Sequence, residues 1–323
     1  MELPSATCVE CEKALNVHSW CCRCQNEGLR QNFKNWTSDD IKTDELIQIT
    51  QLDAKKCMGY LEWIPFDNLD HTCIKFIASG SFSSVYSSIW FDGPRNIWCQ
   101  EDTDWIRNGP IKCALKKFED SQTLSKEFFD KILKHHQYLY GDSVADFFGV
   151  TRDSTGCIIF VMTLYDGNLY QYIDNFMENI CWENVILMLQ DIIDGLKQIH
   201  KDGLYHGNLH GGNLLVSDSH DLNLAERIYD GLRPEIITDT PEVFLLLMER
   251  CWHPNPELRP NAIEISNNLT NWIESIQNDP SSMISKQFLE AKGGRSILES
   301  RTINPMAIYN SRTLNFQPLR NGQ

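Results

Sequence analysis

Residues 203–216 are GLYHGNLHGGNLLV, and a single residue, Asp202, separates them from the segment WENVILMLQDIIDGLKQIHK at residues 182–201. In the longer segment Ile186, Leu189, Ile193 and Leu196 recur at helical spacing, which predicts a helix with one buried stripe. The helix leads straight into a loop that carries histidine and asparagine side chains. The identity of this loop decides which fold and which chemistry the sequence predicts.

Composition limits the classes of protein that need to be considered. The 323 residues are 42% hydrophobic and 23% charged, enough for one sizeable core with small appendages. A net charge of −15 disfavours nucleic acid and anionic membranes as partners, because both attract clustered lysine and arginine. The N-terminus lacks a basic segment before an apolar run, and the longest apolar run, CIIFVMTLY at residues 157–165, is too short to span a bilayer. We expect a cytoplasmic or nuclear protein.

The N-terminal end is rich in cysteine. Cys8-x2-Cys11 and Cys21-x2-Cys24 form two knuckles whose thiolates are able to close one tetrahedral Zn²⁺ shell. Four thiolates leave no open position for water, so the spacing predicts a structural zinc-ribbon-like module rather than a catalytic metal. Cys22 and His18 are alternative ligands, and unrelated reduced thiols are the alternative interpretation.

A connector with helical character follows at residues 31–66. The segment DDIKTDELIQITQL places four apolar residues at approximate helical spacing, with Asp39 or Asp40 as the cap. The pattern predicts a docking helix whose buried stripe consists of Ile41, Leu46, Ile49 and Leu52.

Strand signals dominate the next part of the chain. HTCIKFIASGSFSSVYSSIWF at residues 71–91 predicts two strands joined by a turn of small residues. IKCALKKF at residues 111–118 predicts another strand, and TLSKEFFDKILKHHQYL at residues 123–139 predicts a helix. Two more strands are expected around Val144–Val150 and Cys157–Thr163.

The order of these parts, together with the opening loop, resembles a protein kinase domain. The catalytic-loop template H-R-D-L-x-x-x-N is filled by His206, Gly207, Asn208, Leu209 and Asn213. GLRPEI, LMERCW and RP, further on, resemble the end of tyrosine-kinase-like domains, and the whole order is similar to kinase-like families expanded in certain fungi. The resemblance implies an α+β two-lobe fold, with a five-stranded small lobe and a helical large lobe.

The resemblance also implies a nucleotide site. Lys116 stands where the family binds the α- and β-phosphates, and Met162 where it places the gatekeeper of the adenine pocket. The expected ligand is ATP, bound weakly or without metal. The implied nucleotide-binding residues are Ile77, Gly80, Val85, Ala114, Lys116, Met162, Asn213 and Leu215.

Several positions depart from the family pattern. Ala78 and Ser83 stand where the glycine-rich loop has its first and third glycines. Lys131 occupies the position of the glutamate that holds the phosphate-binding lysine, although Asp130 or Glu127 would substitute if the helix rotates.

The base position carries the most consequential departure. Asn208 stands where the template aspartate accepts the substrate proton, and a neutral amide cannot do so. His210 is the alternative base, but the template residue there contacts phosphate.

The family pattern is also interrupted between Val216 and Ser219. Only residues 214–230 separate Asn213 from Gly231, which leaves no sequence for the D-F-G aspartate, the activation segment and the central helix of the large lobe. Asp218 and Asp221 are alternative metal ligands, but SDSHD is typical of a polar turn. The chain is either truncated in this way or read from a gene model with skipped exons.

Three functions follow from these residues. The first is a pseudokinase that binds nucleotide and acts in signalling through protein partners, with no confident catalytic residue. The second is an active kinase for Ser, Thr or Tyr, and the third is a vestigial fragment or zinc-module scaffold. The predicted domains are the cysteine module at 1–30, the connector at 31–66, the kinase-like domain at 67–278 and a tail at 279–323. The tail is expected to be largely disordered apart from a short helix at residues 286–291.

Overall fold

A computed structural model describes residues 7–8, 10–16, 19–80, 83–99, 104–118, 121, 128, 132–133, 145, 147–176, 181–201, 203–206, 209, 211–216 and 240–291. These residues divide into two compact units, one that ends at Leu164 and one that begins at Tyr165. We call them the sheet unit and the helical unit. Among the described helices, none combines the length and the apolar character needed to cross a membrane.

The elements of the sheet unit whose bounds the structure describes include two α-helices and eight strands. The helices are α1 (Cys24–Gln31) and α2 (Ile41–Leu52). The strands are β1 (Glu62–Trp63), β2 (Lys75–Ser79), β3 (Ser83–Trp90), β4 (Arg95–Cys99), β5 (Asp104–Arg107), β6 (Ile111–Phe118), β7 (Phe147–Arg152) and β8 (Ile158–Thr163).

Six of these strands form one sheet in the order β1-β7-β8-β6-β3-β2. The five predicted strands are present as β2, β3, β6, β7 and β8, and β1 adds a sixth. β1 was not predicted because it is only two residues long and shows no periodicity. β1 pairs parallel with β7, whereas the other five strands are joined antiparallel. In the segment of chain that joins β3 to β6, β4 and β5 form a separate antiparallel hairpin. The sequence patterns did not predict this hairpin.

The six-stranded sheet buries apolar side chains on both faces. Leu115 and Val161 pack on one face with Trp90 and Leu69. Phe160 and Val150 pack with Leu46 and Ile47 of α2 in a second cluster. Helix α2 is therefore part of the core of the sheet unit.

The buried stripe of α2 differs from the predicted one. Leu46 and Ile47 are fully buried, whereas Ile41, Ile49 and Leu52 are 77%, 45% and 49% exposed. The prediction failed because polar residues share the buried face: the Thr50 hydroxyl accepts from the Leu61 backbone amide, and the Gln51 amide donates to the Leu61 carbonyl. Asp40 is the N-cap, accepting from the backbone amide of Thr43 as predicted.

The helical unit contains five described helices and one short strand pair. The helices are α3 (Leu169–Phe176), α4 (Trp182–Lys201), α5 (Glu242–Cys251), α6 (Ala262–Asn278) and α7 (Met283–Glu290). The strands β9 (Gly167–Asn168) and β10 (Leu215–Val216) pair antiparallel.

The predicted stripe of α4 lies in the core of this unit. Ile186 and Ile193 are buried and Leu189 and Leu196 pack against the same cluster. Helix α7 joins it through Phe288, whose ring centroid lies 5.5 Å from that of Trp272. The short helix predicted at residues 286–291 is thus present as α7, three residues earlier in its start, and it packs in the core. Residues 292–323, where disorder was predicted, lie outside the described part of the chain.

Candidate functional site

Four of the predicted nucleotide-binding residues lie on one face of the sheet. Val85 of β3 is directly opposite Lys116 of β6, and Ala114 of β6 is directly opposite Met162 of β8. Directly opposed residues and residues two apart share a face, so all four side chains stand on the same side. Ala114 and Met162 are buried, whereas Val85 and Lys116 are partly buried. We call these four residues the pocket face.

Lys116 is a cation in a poorly solvated position. Burial lowers the pKa of its ammonium group from the ordinary value of 10.5. Its nitrogen lies 5.7 Å from the centroid of the Phe118 ring, and no carboxylate among the described residues pairs with it. The predicted counterparts Glu127, Asp130 and Lys131 lie outside the described residues. A bound anion would favour the charged form that burial disfavours.

The turn between β2 and β3 includes the retained glycine. The Gly80 amide donates to the Ser83 carbonyl at 2.8 Å, and the ladder slips between Phe76 and Ala78. A side chain at Gly80 would meet only the Ser83 carbonyl, at 3.9 Å, so packing does not require the glycine. Ile77 is 47% exposed beside this turn. Phe82 lies outside the described residues.

The loop after α4 lies in the helical unit. Gly203 has a φ of +70° and its amide donates to His200, while the Leu204 amide donates to Ile199, which closes the helix end. Tyr205 and His206 are exposed at the start of the loop.

The end of the loop is packed. A Cβ atom at Gly211 would lie 2.7 Å from the Tyr170 ring, so any larger residue there would displace that ring. Asn213 is partly buried, and Leu215 in β10 lies opposite Asn168. Gly207, Asn208 and His210 lie outside the described residues, as do Asp218 and Asp221, so Asn208 is judged from the sequence alone.

The two cysteine knuckles converge on one point. The sulfur atoms of Cys8, Cys11, Cys21 and Cys24 all lie within 4.8 Å of one another. Cys8 and Cys21 are buried, and burial together with the neighbouring thiols raises the pKa of Cys24 above its ordinary value of 9.0. Cys22 is exposed and lies outside this cluster, and His18 lies outside the described residues. Soft thiolate ligands in this number are able to hold a zinc ion.

A buried ion cluster anchors the β4–β5 hairpin. Glu62 accepts from the Arg107 guanidinium at 2.7 Å and lies 3.3 Å from Nε of Arg95. Its other oxygen accepts from the Arg95 backbone amide at 3.0 Å, and both Glu62 and Arg95 are buried. Sequence reasoning missed this hairpin, although FDGP and NGP at its two ends are turn signals that bracket it.

Two comparisons with known proteins bear on the identity of this region. Residues 72–226 match the family model described as protein tyrosine and serine/threonine kinase. The chain is also similar to a probable serine/threonine-protein kinase of Dictyostelium discoideum, with 25% identity over 182 residues. That match covers 54% of this chain and 18% of the relative, so the chain spans less than a fifth of that protein. Together they support a protein kinase domain, whose mixed sheet and helices fit an α+β kinase-like fold.

Proposed function

We propose that the chain is a pseudokinase of the tyrosine-kinase-like type, which binds ATP weakly and acts in signalling through protein partners. The observation that carries the proposal is the pocket face. Val85, Ala114, Lys116 and Met162 share one side of the sheet, in strands that fall inside the matched kinase region at residues 72–226. A kinase domain uses ATP, and this face retains the lysine that would bind its phosphates.

The nucleotide is expected to bind more weakly than in an active kinase. No carboxylate among the described residues holds Lys116 in position for a phosphate, and burial lowers the pKa of its ammonium group. The loop above the phosphates also keeps one glycine, Gly80, of the usual three.

Phosphate transfer is expected to fail for two independent reasons. Asn208 presents a neutral amide at the base position, which orients a hydroxyl but does not take up its proton. The chain has no D-F-G triad after Asn213, and that aspartate holds Mg²⁺ in the family. Since catalysis of this reaction is mostly positioning and charge stabilisation, losing the metal ligand removes more than losing the base.

A radiolabel transfer assay on the full chain tests the loss of activity. The wild-type chain, Lys116→Ala and Asn208→Asp are incubated with γ-labelled ATP and Mg²⁺ or Mn²⁺, with general protein substrates. We expect equal background in all three, because restoring a carboxylate at 208 does not restore the metal ligand. Transfer by the wild-type chain that Lys116→Ala abolishes would establish an active kinase and overturn the proposal. Transfer by Asn208→Asp alone would overturn the argument about the metal ligand.

A second function is favoured by the cysteine cluster. A scaffold built on the cysteine module, with a kinase-like part that no longer binds nucleotide, would still need the four clustered thiols. The two proposals differ in one observable: ATP stabilises a pseudokinase against unfolding and leaves the scaffold unchanged.

Partners and location follow from charge and from the proposed role. The net charge of −15 argues against nucleic acid and anionic membranes, so we propose protein partners in the cytoplasm or nucleus.

A further inference from the structure

The N-terminal cysteines are arranged around a common centre rather than in pairs. In a tetrahedral site with Zn–S distances of about 2.3 Å, adjacent sulfurs are ~3.8 Å apart. The Cys11 and Cys21 sulfurs are 3.7 Å apart, and all four sulfurs lie within 4.8 Å of one another. A disulfide requires sulfurs about 2.05 Å apart, so the arrangement fits a four-ligand site and not two disulfides.

The backbone of each knuckle directs its two cysteines inward. At the first knuckle the Cys8 amide donates to Lys13 and the Glu12 amide donates back to Cys8, with Glu12 at a φ of 58°. At the second knuckle the Cys24 amide donates to the Cys21 sulfur at 3.5 Å, and helix α1 begins at Cys24. These turns bring the two cysteines of each knuckle to the same centre.

Trp20 connects this cluster to the β4–β5 hairpin. Trp20 precedes Cys21 in sequence and is 4% exposed. Its ring stacks on Trp105 of the β4–β5 hairpin, with centroids 6.4 Å apart and planes 12° apart, and lies 6.0 Å from Tyr60. Its Nε1 donates to Asn26 of α1 at 2.8 Å.

Two asparagines fasten the same module to the end of α2. The Asn26 side chain donates to the carbonyls of Leu52 and Ala54 at 3.0 and 3.1 Å. The Asn16 side chain donates to the carbonyl of Lys55 at 2.6 Å. The module is thus part of the sheet unit, since α2 itself packs in the sheet core.

We propose that Cys8, Cys11, Cys21 and Cys24 bind one structural Zn²⁺, and that this ion stabilises the sheet unit by holding Trp20 against Trp105 and Tyr60. Zinc fits because four soft thiolates close a tetrahedral shell and leave no position for water or substrate. The short module buries few apolar side chains of its own, so metal–ligand bonds supply what packing does not. The proposal is independent of nucleotide binding and does not rest on the proposed function.

Metal content of the purified full chain is the first measurement. By inductively coupled plasma mass spectrometry we expect one zinc per chain, lost in Cys8→Ser and Cys24→Ser. The matched control is Cys22→Ser, which removes an exposed thiol next to a ligand and is expected to keep the full zinc content. Because the ligand variants are liable to misfold, wild-type chain stripped by a chelator is also titrated with Co²⁺, whose absorption reports tetrahedral thiolate ligation. Chain that carries disulfides among these cysteines, or that fails to bind Co²⁺ when reduced and folded, would overturn the metal site.

Coupling to the sheet unit needs a second readout. Removal of zinc is expected to lower the melting temperature by several degrees and to change tryptophan fluorescence. In Trp105→Ala the metal should still bind, while the drop in melting temperature on chelation becomes smaller. An unchanged melting temperature after complete zinc removal from the wild-type chain would contradict the stabilising role.

Discussion

The two units of this chain differ in how deeply the ion pairs compared below are buried. The sheet unit buries Glu62 with Arg95, and both side chains are less than a tenth exposed. In the helical unit the ion pair between Asp194 and Lys197 lies within α4, and its two side chains are 42% and 35% exposed. Removing one partner of a buried ion pair leaves an unpaired charge away from water and lowers the free energy of unfolding strongly. Removing one partner of an exposed pair has little effect, because water screens the interaction.

The same contrast extends to function. The sheet unit keeps the pocket face and has additional elements beside the five antiparallel strands: β1, the β4–β5 hairpin, α2 and the cysteine cluster. The helical unit carries the loop with Asn208 in a sequence too short for the usual metal-binding segment. The proposed nucleotide site therefore rests mainly on the sheet unit, whereas the departures that would prevent phosphoryl transfer lie in the sequence of the helical unit.

The largest expected effect is on the buried charges of the sheet unit. Glu62→Gln should lower the free energy of unfolding by about 4 kcal/mol, because it leaves Arg95 buried opposite a neutral group. Urea unfolding followed by circular dichroism measures the loss. The control is Glu27→Gln, which removes an exposed pair with Arg30 and should leave the transition unchanged. Equal urea midpoints for the two variants would contradict the proposed difference between buried and exposed charges.

Apolar packing of α7 gives the next largest effect. Phe288→Ala should cost about 3 kcal/mol, since Phe288 is 5% exposed in the core of the helical unit. Its neighbour Leu289 is 66% exposed, so Leu289→Ala serves as the matched control and should leave stability nearly unchanged. Thermal unfolding of both variants tests whether the chain after residue 279 contributes to the fold. Equal stability of Phe288→Ala and wild type would show that it does not.

A smaller effect is expected at the start of α2. Asp40 caps the helix and also accepts from Arg152 at 2.9 Å, so Asp40→Ala should cost roughly 1–2 kcal/mol. Glu45→Ala, at an exposed position of the same helix, is the control with little expected change. Hydrogen exchange of α2 amides should increase in the first variant only. Unchanged protection in Asp40→Ala would contradict the docking of α2 through its cap.

The smallest expected effect on stability concerns the exposed Asp194–Lys197 ion pair of the helical unit, and this effect depends on pH. Burial raises the pKa of Asp194, but hydrogen bonds from Gln190 and Lys197 and the charge of Lys197 outweigh it, so the pKa lies below its ordinary value of 3.8. A lowered folded-state pKa contributes stability above the unfolded value, and this is lost as the pH falls through the folded value. Asp194→Asn should therefore be less stable than wild type by under ~1 kcal/mol at pH 7, and the difference should shrink as the pH falls below 3.8. A difference that grows on acidification would show that the sign is wrong.

Sequence patterns predicted the regular parts of this molecule well. The strand IKCALKKF at residues 111–118 is confirmed as β6, and the stripe of α4 is confirmed in the helical core. Both succeed because continuous β-forming runs and helical periodicity are local signals. The convergence of four cysteines followed from their spacing for the same reason.

The remaining features depend on contacts between distant residues. The two residues of β1 gain their role only by pairing with β7, and Trp20 meets Trp105 across a long separation in the chain. The stripe of α2 was mispredicted because Thr50 and Gln51 are buried through hydrogen bonds to Leu61, which an apolar pattern does not reveal. A positional pattern gives no account of partners that lie elsewhere in the sequence.

The most direct test of the central claim is a thermal-shift titration of the full chain with ATP, with and without Mg²⁺. Lys116→Ala removes the phosphate-binding lysine, and Lys112→Ala, at an exposed position of the same strand, is the matched control. We predict that ATP raises the melting temperature of the wild type and of Lys112→Ala, by an amount that grows with concentration, and leaves Lys116→Ala unchanged. No shift in a wild-type chain that melts cooperatively would contradict the account and favour a scaffold without a nucleotide site.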